Sequence, residues 1–250
     1  KKQLYFRLLS FFMALILCIS STSSVFAKDS LENWSDKYVK TLAEQNIYES
    51  IMDSYDAKRT ITYVEFIEMA AKLFHYDKLS QIQSQTVTLQ NWFAENITDI
   101  AVKKADQTLT RQDAVVMLAK MLKYDLKDSE KSKFKDDSQI ADYARSSVNA
   151  LTKKGHLNGY LDGTLKPQNP ISFGEVASLL CSVAGSVYSE GTHDFNNQTI
   201  QGNLSIVSPG VVLKNAVIEG DLYISEGVGT GEVTLNHVVV KGETIVSGGG

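Results

Sequence analysis

The residues best equipped for recognition chemistry are Arg111 and the run holding Tyr160, Asp162, Gly163 and Thr164. A guanidinium offers forked donors to a carboxylate or phosphate, which neither Tyr nor Phe can replace. The Tyr160 ring can stack on a sugar, Asp162 can accept hydrogen bonds from hydroxyls, and Gly163 lets backbone amides approach a ligand closely. Each residue also has an ordinary structural use. Asp162-Gly163 suits a turn, Arg111 a solvated position in a helix's first turn, and Trp34 and Trp92 the core.

The elements that position these residues have readable boundaries. Gly155 after Lys153 and Lys154 ends a helix, since glycine takes a left-handed cap and the lysines meet the negative end of the dipole. Asp162-Gly163, Pro167 and Pro170 keep the following loop out of helix. Ser172 and Glu175 then form a capping box, with Ile171 and Val176 as the hydrophobic staple across it. The same start signal occurs at Thr62 with Glu65 and at Thr110 with Asp113, each after an aliphatic residue, Ile61 or Leu109. Apolar residues recur at helical spacing after each cap: Val64, Ile67, Ala71 and Phe74; Ala114, Leu118, Met121 and Leu122; Val176, Leu179, Leu180 and Val183. An upstream helix opens near Trp34, Trp92 and Tyr143, so the unit is helix, loop, helix. The aromatic-to-cap spacing is 28, 18 and 29 residues, so the middle unit has lost its loop. The first unit has Asp53-Ser54-Tyr55 where the third has Asp162-Gly163-Thr164.

The segment GYLDGTLKPQNPISFGE resembles the GYxDGTFxPxxxITRAE signature of S-layer homology repeats, which anchor bacterial proteins to cell-wall polysaccharide. The resemblance spans about residues 28–186, strongest in the third unit, with repeats at about 28–78, 86–126 and 132–186. It implies a pseudo-threefold α-helical bundle whose grooves between units bind the wall polymer. Carried over residue by residue, it assigns the polysaccharide site to Arg111, Tyr160, Asp162, Gly163 and Thr164, with Gly159 completing the loop match; Tyr63 and Phe173 stand at the Arg position in the other units.

Beyond the helices, residues 187–193 read as a linker and 194–250 as the start of a parallel β-helix or solenoid, continuing past Gly250. Its β-branched runs are anchored by Gly202, Gly220 and Gly242, 18 and 22 residues apart. A two-sheet sandwich is the alternative. Glu219 and Asp221, flanking Gly220, are expected to face solvent. The fold class is therefore mixed α+β.

At the N-terminus, Lys1, Lys2 and Arg7 precede an apolar run and Val25-Phe26-Ala27, which fits a secretory signal over residues 1–27. Its removal leaves 22 basic against 29 acidic side chains, a charge of −7, which disfavours nucleic acid and anionic lipid as partners. Cys181 is then the one remaining cysteine, expected as a buried thiol. His75, His156, His193 and His237 are scattered without metal-ligand spacing, and no nucleophile elbow, phosphate loop or dinucleotide fingerprint occurs. No cofactor and no metal are expected. The reading is a non-catalytic, secreted protein anchored at the bacterial cell surface through cell-wall polysaccharide, with the solenoid as display or spacer. Two alternatives stand beside it: a targeting module of a carbohydrate-active enzyme, or a repeat region that serves as a protein-interaction scaffold.

Overall fold

A computed structural model describes residues 34–45, 47, 56–100, 104 and 106–249. The leader expected over 1–27, the segment Asp53, Ser54 and Tyr55, and Ala101 lie outside the described residues.

Three helices begin where the caps predict. These are α2 (Tyr63–Phe74), α5 (Arg111–Met121) and α7 (Phe173–Ala184). Thr62 and Ser172 complete reciprocal capping boxes with Glu65 and Glu175, and the Thr110 side chain accepts from the Asp113 amide. Each cap is worth about 1 kcal/mol. Preceding them are α1 (Asp36–Glu44), α4 (Leu89–Asn96) and α6 (Asp142–Lys153), with a short α3 (Ser80–Gln83) before α4. Each upstream helix packs on the capped helix of the preceding unit: α1 on α7, α4 on α2 and α6 on α5.

The three caps close into a ring. Antiparallel bridges join Thr62 to Thr108, Thr110 to Pro170 and Ser172 to Thr60, so each cap pairs with the residue two positions before the next cap. The first helical amides follow the same cycle: Tyr63 donates to the Gln107 carbonyl at 3.3 Å, Arg111 to Asn169 at 3.0 Å and Phe173 to Arg59 at 2.9 Å. Amides that an isolated helix would leave unpaired are thus satisfied by the neighbouring unit. Ile61, Leu109 and Ile171, the aliphatic residues before the caps, are buried in one core. This is the pseudo-threefold bundle.

Trp92 is 5% exposed and belongs to the core, but Trp34 is 59% exposed and does not. Its neighbour Ser35 takes the buried place, against Gly174, where an added Cβ would lie 2.6 Å from the serine hydroxyl. That close approach turns Trp34 outward.

After α7 come seven strands: β1 (Ser186–Tyr188), β2 (Thr192–Ile200), β3 (Leu204–Ile206), β4 (Val212–Ile218), β5 (Leu222–Ile224), β6 (Thr234–Val240) and β7 (Thr244–Val246). All pairings are parallel, in two sheets ordered β1-β3-β5-β7 and β2-β4-β6. The result is a solenoid of about three turns, not a sandwich. Leu204 pairs with Leu222, and Leu222 with Thr244, which reproduces the spacings of 18 and 22. The expected linker over 187–193 is instead part of the first turn, because β1 pairs with β3 and β2 begins at Thr192. Gly185, at φ 62° and ψ −135°, swings the chain from α7 directly into β1.

The short-strand sheet has two employed faces. Leu204, Ile206, Leu222 and Ile224 point into the solenoid core. The column Val187, Ser205, Tyr223 and Ile245 packs against the helical bundle or donates to it. There the solenoid caps the C-terminal ends of all three capped helices. Ser225 Oγ donates to the Phe74 carbonyl at 2.8 Å, Tyr223 Oη to Met121 at 3.1 Å, and Ser205 Oγ to Ala184 at 2.8 Å. Asp221 is correspondingly buried and held by Lys154 at 2.9 Å, so its expected solvent position is corrected. Glu219 pairs with Lys241 at 2.7 Å on the exposed side.

The long strands bend at Asn197 (φ 62°), Asn215 (φ 52°) and His237 (φ 53°). Asn215 and His237 occupy the same place between paired residues of β4 and β6. Asparagine tolerates left-handed backbone and histidine does so less well. His237→Asn is therefore expected to stabilise the protein by roughly 0.5 kcal/mol, read as a rise in the urea midpoint; a lower midpoint would contradict this account of the bend.

Among the described residues, no helix is long and apolar enough to cross a membrane. Residues from Trp34 onward form one compact unit.

Candidate functional site

The ring of caps brings the first residue of one capped helix against the third residue of the next. Between the second and third units, Arg111 Nη1 lies 3.1 Å from Glu175 Oε1, and the guanidinium carbon lies 4.9 Å from the Tyr160 ring centre. Tyr160 Oη donates to the same carboxylate, whose other oxygen closes the capping box by accepting the Ser172 amide at 2.9 Å. Burial first, then this bond to Glu175, pushes the Tyr160 phenol up to about 12.

The same three components recur in the other two grooves, supplied from different positions. Between units one and two, Tyr63 Oη donates to Asp113, and Lys104 Nζ sits 3.0 Å from that carboxylate and 5.5 Å from the Tyr63 ring centre. Between units three and one, Arg59 Nη1 lies 2.7 Å from Glu65 Oε1 and its guanidinium carbon 4.9 Å from the Phe173 ring centre. Every groove therefore holds a cation, an aromatic ring and a carboxylate. Where Tyr63 and Phe173 displace arginine, Lys104 and Arg59 bring the positive charge back from the loop before a cap.

Arg111 is not the solvated residue its place in the first turn suggested. Its side chain is 8% exposed, because Glu175, Tyr160 and the Asn158 carbonyl, 3.4 Å from Nη2, enclose it. Its buried Nε has no hydrogen-bond partner among the described residues. The Tyr160 ring also has the Lys166 amine 4.2 Å from its centre, so it holds two cations as well as bordering the groove.

Asp162, Gly163 and Thr164 form a tight turn at the rim. Asp162 Oδ1 accepts from the Thr164 amide at 2.9 Å and from its hydroxyl at 2.6 Å. Those bonds, first, hold the Asp162 carboxyl below its ordinary value. Lys135 Nζ donates to the Asp162 carbonyl at 2.7 Å, and Gly163 takes φ 82°. The structure brings Arg111 and Tyr160 into contact, with Asp162, Gly163 and Thr164 in the adjoining turn. Lys135 and Lys166 join them there, beside the Asp162 carboxylate, from which Lys166 Nζ lies 3.8 Å away.

Asp113 is fully buried. Burial alone would raise its carboxyl, but hydrogen bonds from Tyr63, Tyr143 and Lys104 outweigh it and hold the group below its ordinary 3.8. A depressed carboxylate contributes stability above its unfolded value and loses it as pH falls toward the folded one. Asp113→Asn is expected to cost ~2 kcal/mol at neutral pH and to flatten the fall in stability below pH about 4. Urea denaturation at pH 7 and pH 3 checks both, and an unchanged acid slope would exclude Asp113 as a source of that fall.

Cys181 is half-buried. Its thiol lies 3.5 Å from the Tyr38 carbonyl, and burial pushes it up to about 12, as suits a structural residue.

The sequence model of the S-layer homology domain matches residues 133–177. Among solved structures, a chain of chitinase ChiW from Paenibacillus sp. str. FPU-7, described as a bacterial cell-surface-expressed multi-modular enzyme machinery, is 51% identical to this one. The alignment covers 26% of this chain and 97% of that chain, at a TM-score of 0.25, which places no residue of this protein. No curated protein matches the chain. The matched segment runs from Lys133 through the Tyr160 loop to the start of α7, the part of the bundle that supplies Tyr160 and Glu175 to the groove around Arg111. This chain thus carries an S-layer homology domain, a non-catalytic cell-surface anchoring module, as the third unit of a threefold helical ring that continues into a parallel β-solenoid.

Proposed function

We propose that the protein is held at the bacterial cell surface by cell-wall polysaccharide lying in the grooves between its helical units. The observation that carries this reading is the recurrence of a cation, an aromatic ring and a carboxylate in all three grooves, with the carboxylate always the third residue of a capped helix and the cation drawn from a different position in each. The guanidinium of Arg111, with Lys135 and Lys166 at the rim, suits a carboxylate or phosphate on the polymer, while Asp162 and Thr164 suit its hydroxyls. Three modest sites on one rigid ring give avidity without any single tight contact. A leader over residues 1–27 would deliver the chain across the membrane, and the solenoid would display or space what it carries.

Co-sedimentation with purified cell-wall sacculi tests this reading. The chain is expected to pellet with sacculi that retain their polysaccharide and to stay in solution with sacculi stripped of it. Equal behaviour with both would exclude the polymer as ligand. The pairing of Arg111 with Glu175 inside the fold favours a second reading, a protein-interaction scaffold, which predicts no pelleting with either preparation.

A further inference from the structure

The junction between the helical ring and the solenoid contains a hydrogen-bond chain whose direction is fixed at both ends. Asn203, just before β3, accepts the Asp221 amide on Oδ1 at 2.9 Å. Its Nδ2 donates to the Val183 carbonyl in α7 at 2.9 Å. A backbone amide can only donate and a carbonyl can only accept, so the Asn203 side chain cannot flip. Its Nδ2 also faces His156 Nε2 at 3.3 Å. That ring nitrogen must therefore be the acceptor. The imidazole proton then sits on Nδ1, which donates to Ser182 Oγ at 3.1 Å.

We infer that His156 is a proton-sensitive latch between the helical ring and the solenoid, closed when Nε2 is free and opened when it is protonated. A proton on Nε2 places one N–H against another, and Asn203 cannot turn away without breaking its bonds to Val183 and Asp221. The charged groups around the ring add to this. From the end of α6 comes Lys154, already bound to Asp221 at 2.9 Å and to Glu243 at 3.0 Å in the solenoid. From the chain after α5 comes Tyr124, stacked at 6.2 Å and 6°, and α7 presents the neutral Ser182. The nearest carboxylates are therefore already engaged by a lysine. Burial first, and Lys154 besides, hold His156 below its ordinary 6.5, with Asp221 opposing. A base depressed in the fold takes up its proton more readily when released, so the junction weakens as pH falls below about 6.5. The second histidine at the junction differs. His75 Nδ1 lies 2.7 Å from Ser208 Oγ, a hydroxyl that can donate or accept, so that contact survives protonation, although burial first holds His75 too below its ordinary 6.5.

Nuclear magnetic resonance of the whole chain with labelled histidine tests the latch. At pH 7.5, His156 is expected as the Nδ1–H tautomer, titrating below 6.5. Between pH 7.5 and pH 5, the protection factors of the Ser186 and Asp221 amides at the junction are expected to fall at least tenfold more than those of solenoid amides such as Val217. His156→Gln keeps an acceptor that does not titrate and should flatten this difference. Asn203→Asp presents an acceptor to Nε2 and should move the His156 titration above 6.5, which decides the matter even if the glutamine variant folds poorly. An Nε2–H tautomer at neutral pH, or junction protection that tracks the solenoid down to pH 5, would overturn the inference.

Discussion

Gly185→Ala is expected to destabilise the protein by about 3–5 kcal/mol, the middle of the ~2–6 kcal/mol range that backbone strain and overpacking give together. The residue sits at φ 62° and ψ −135°, a region essentially confined to glycine. An added Cβ would lie 1.9 Å from the Asn203 carbonyl oxygen and 2.4 Å from its carbon, both backbone atoms that cannot step aside cheaply. That carbonyl accepts the Ser186 amide at 3.0 Å and begins the first turn of the solenoid. Pushing it away also disturbs Asn203 and Ser205, which cap the end of α7. For a domain of this size the melting temperature should drop by about 6–20 °C. A shift under about 3 °C would mean that the direct turn from α7 into β1 is not tightly built, and that a true linker joins the two parts after all.

The second large effect is on binding. Arg59→Gln, Lys104→Gln and Arg111→Gln are each expected to weaken attachment to wall polysaccharide about three- to tenfold, the net scale of one ordinary hydrogen bond. Combined, they should weaken it by about 10²–10⁴, because each groove contributes to the avidity of the others. Arg111→Gln also leaves the Glu175 carboxylate without its cation, so its melting temperature should be followed alongside. Arg111→Lys separates the two roles. It preserves the charge beside Glu175 but loses the fork, so it should restore most of the stability and little of the affinity. Three single variants that bind like the parent protein would remove the cations from the account.

These two expectations draw on features of very different legibility. The caps at Thr62, Thr110 and Ser172 were readable because a cap is local: four consecutive residues fix it, and all three helices begin there. The solenoid repeat was readable through Gly202, Gly220 and Gly242, whose spacing equals the offset between paired strands. Arg59 and Lys104 were missed because they reach their grooves from loops, three and six residues before a cap, and so occupy no common repeat position. The signal that could have found them was the pairing of each lost arginine with a nearby basic residue upstream of a cap. Asp221 was misplaced because strand alternation says which side a residue faces but not what covers that side. Here the ends of three helices cover it, and Lys154 awaits the carboxylate there. Trp34 was misjudged on residue type, where a small serine fits against Gly174 and a tryptophan does not.

The grooves as a polysaccharide site are tested most directly by calorimetric titration of the chain with purified wall-polysaccharide fragments, accompanied by melting curves at saturation. The account predicts measurable heat, a stoichiometry approaching three fragments per chain, and a raised melting temperature, all reduced in the triple variant Arg59→Gln, Lys104→Gln, Arg111→Gln. Absence of heat with an unmoved melting temperature, or binding that the triple variant retains in full, would contradict it.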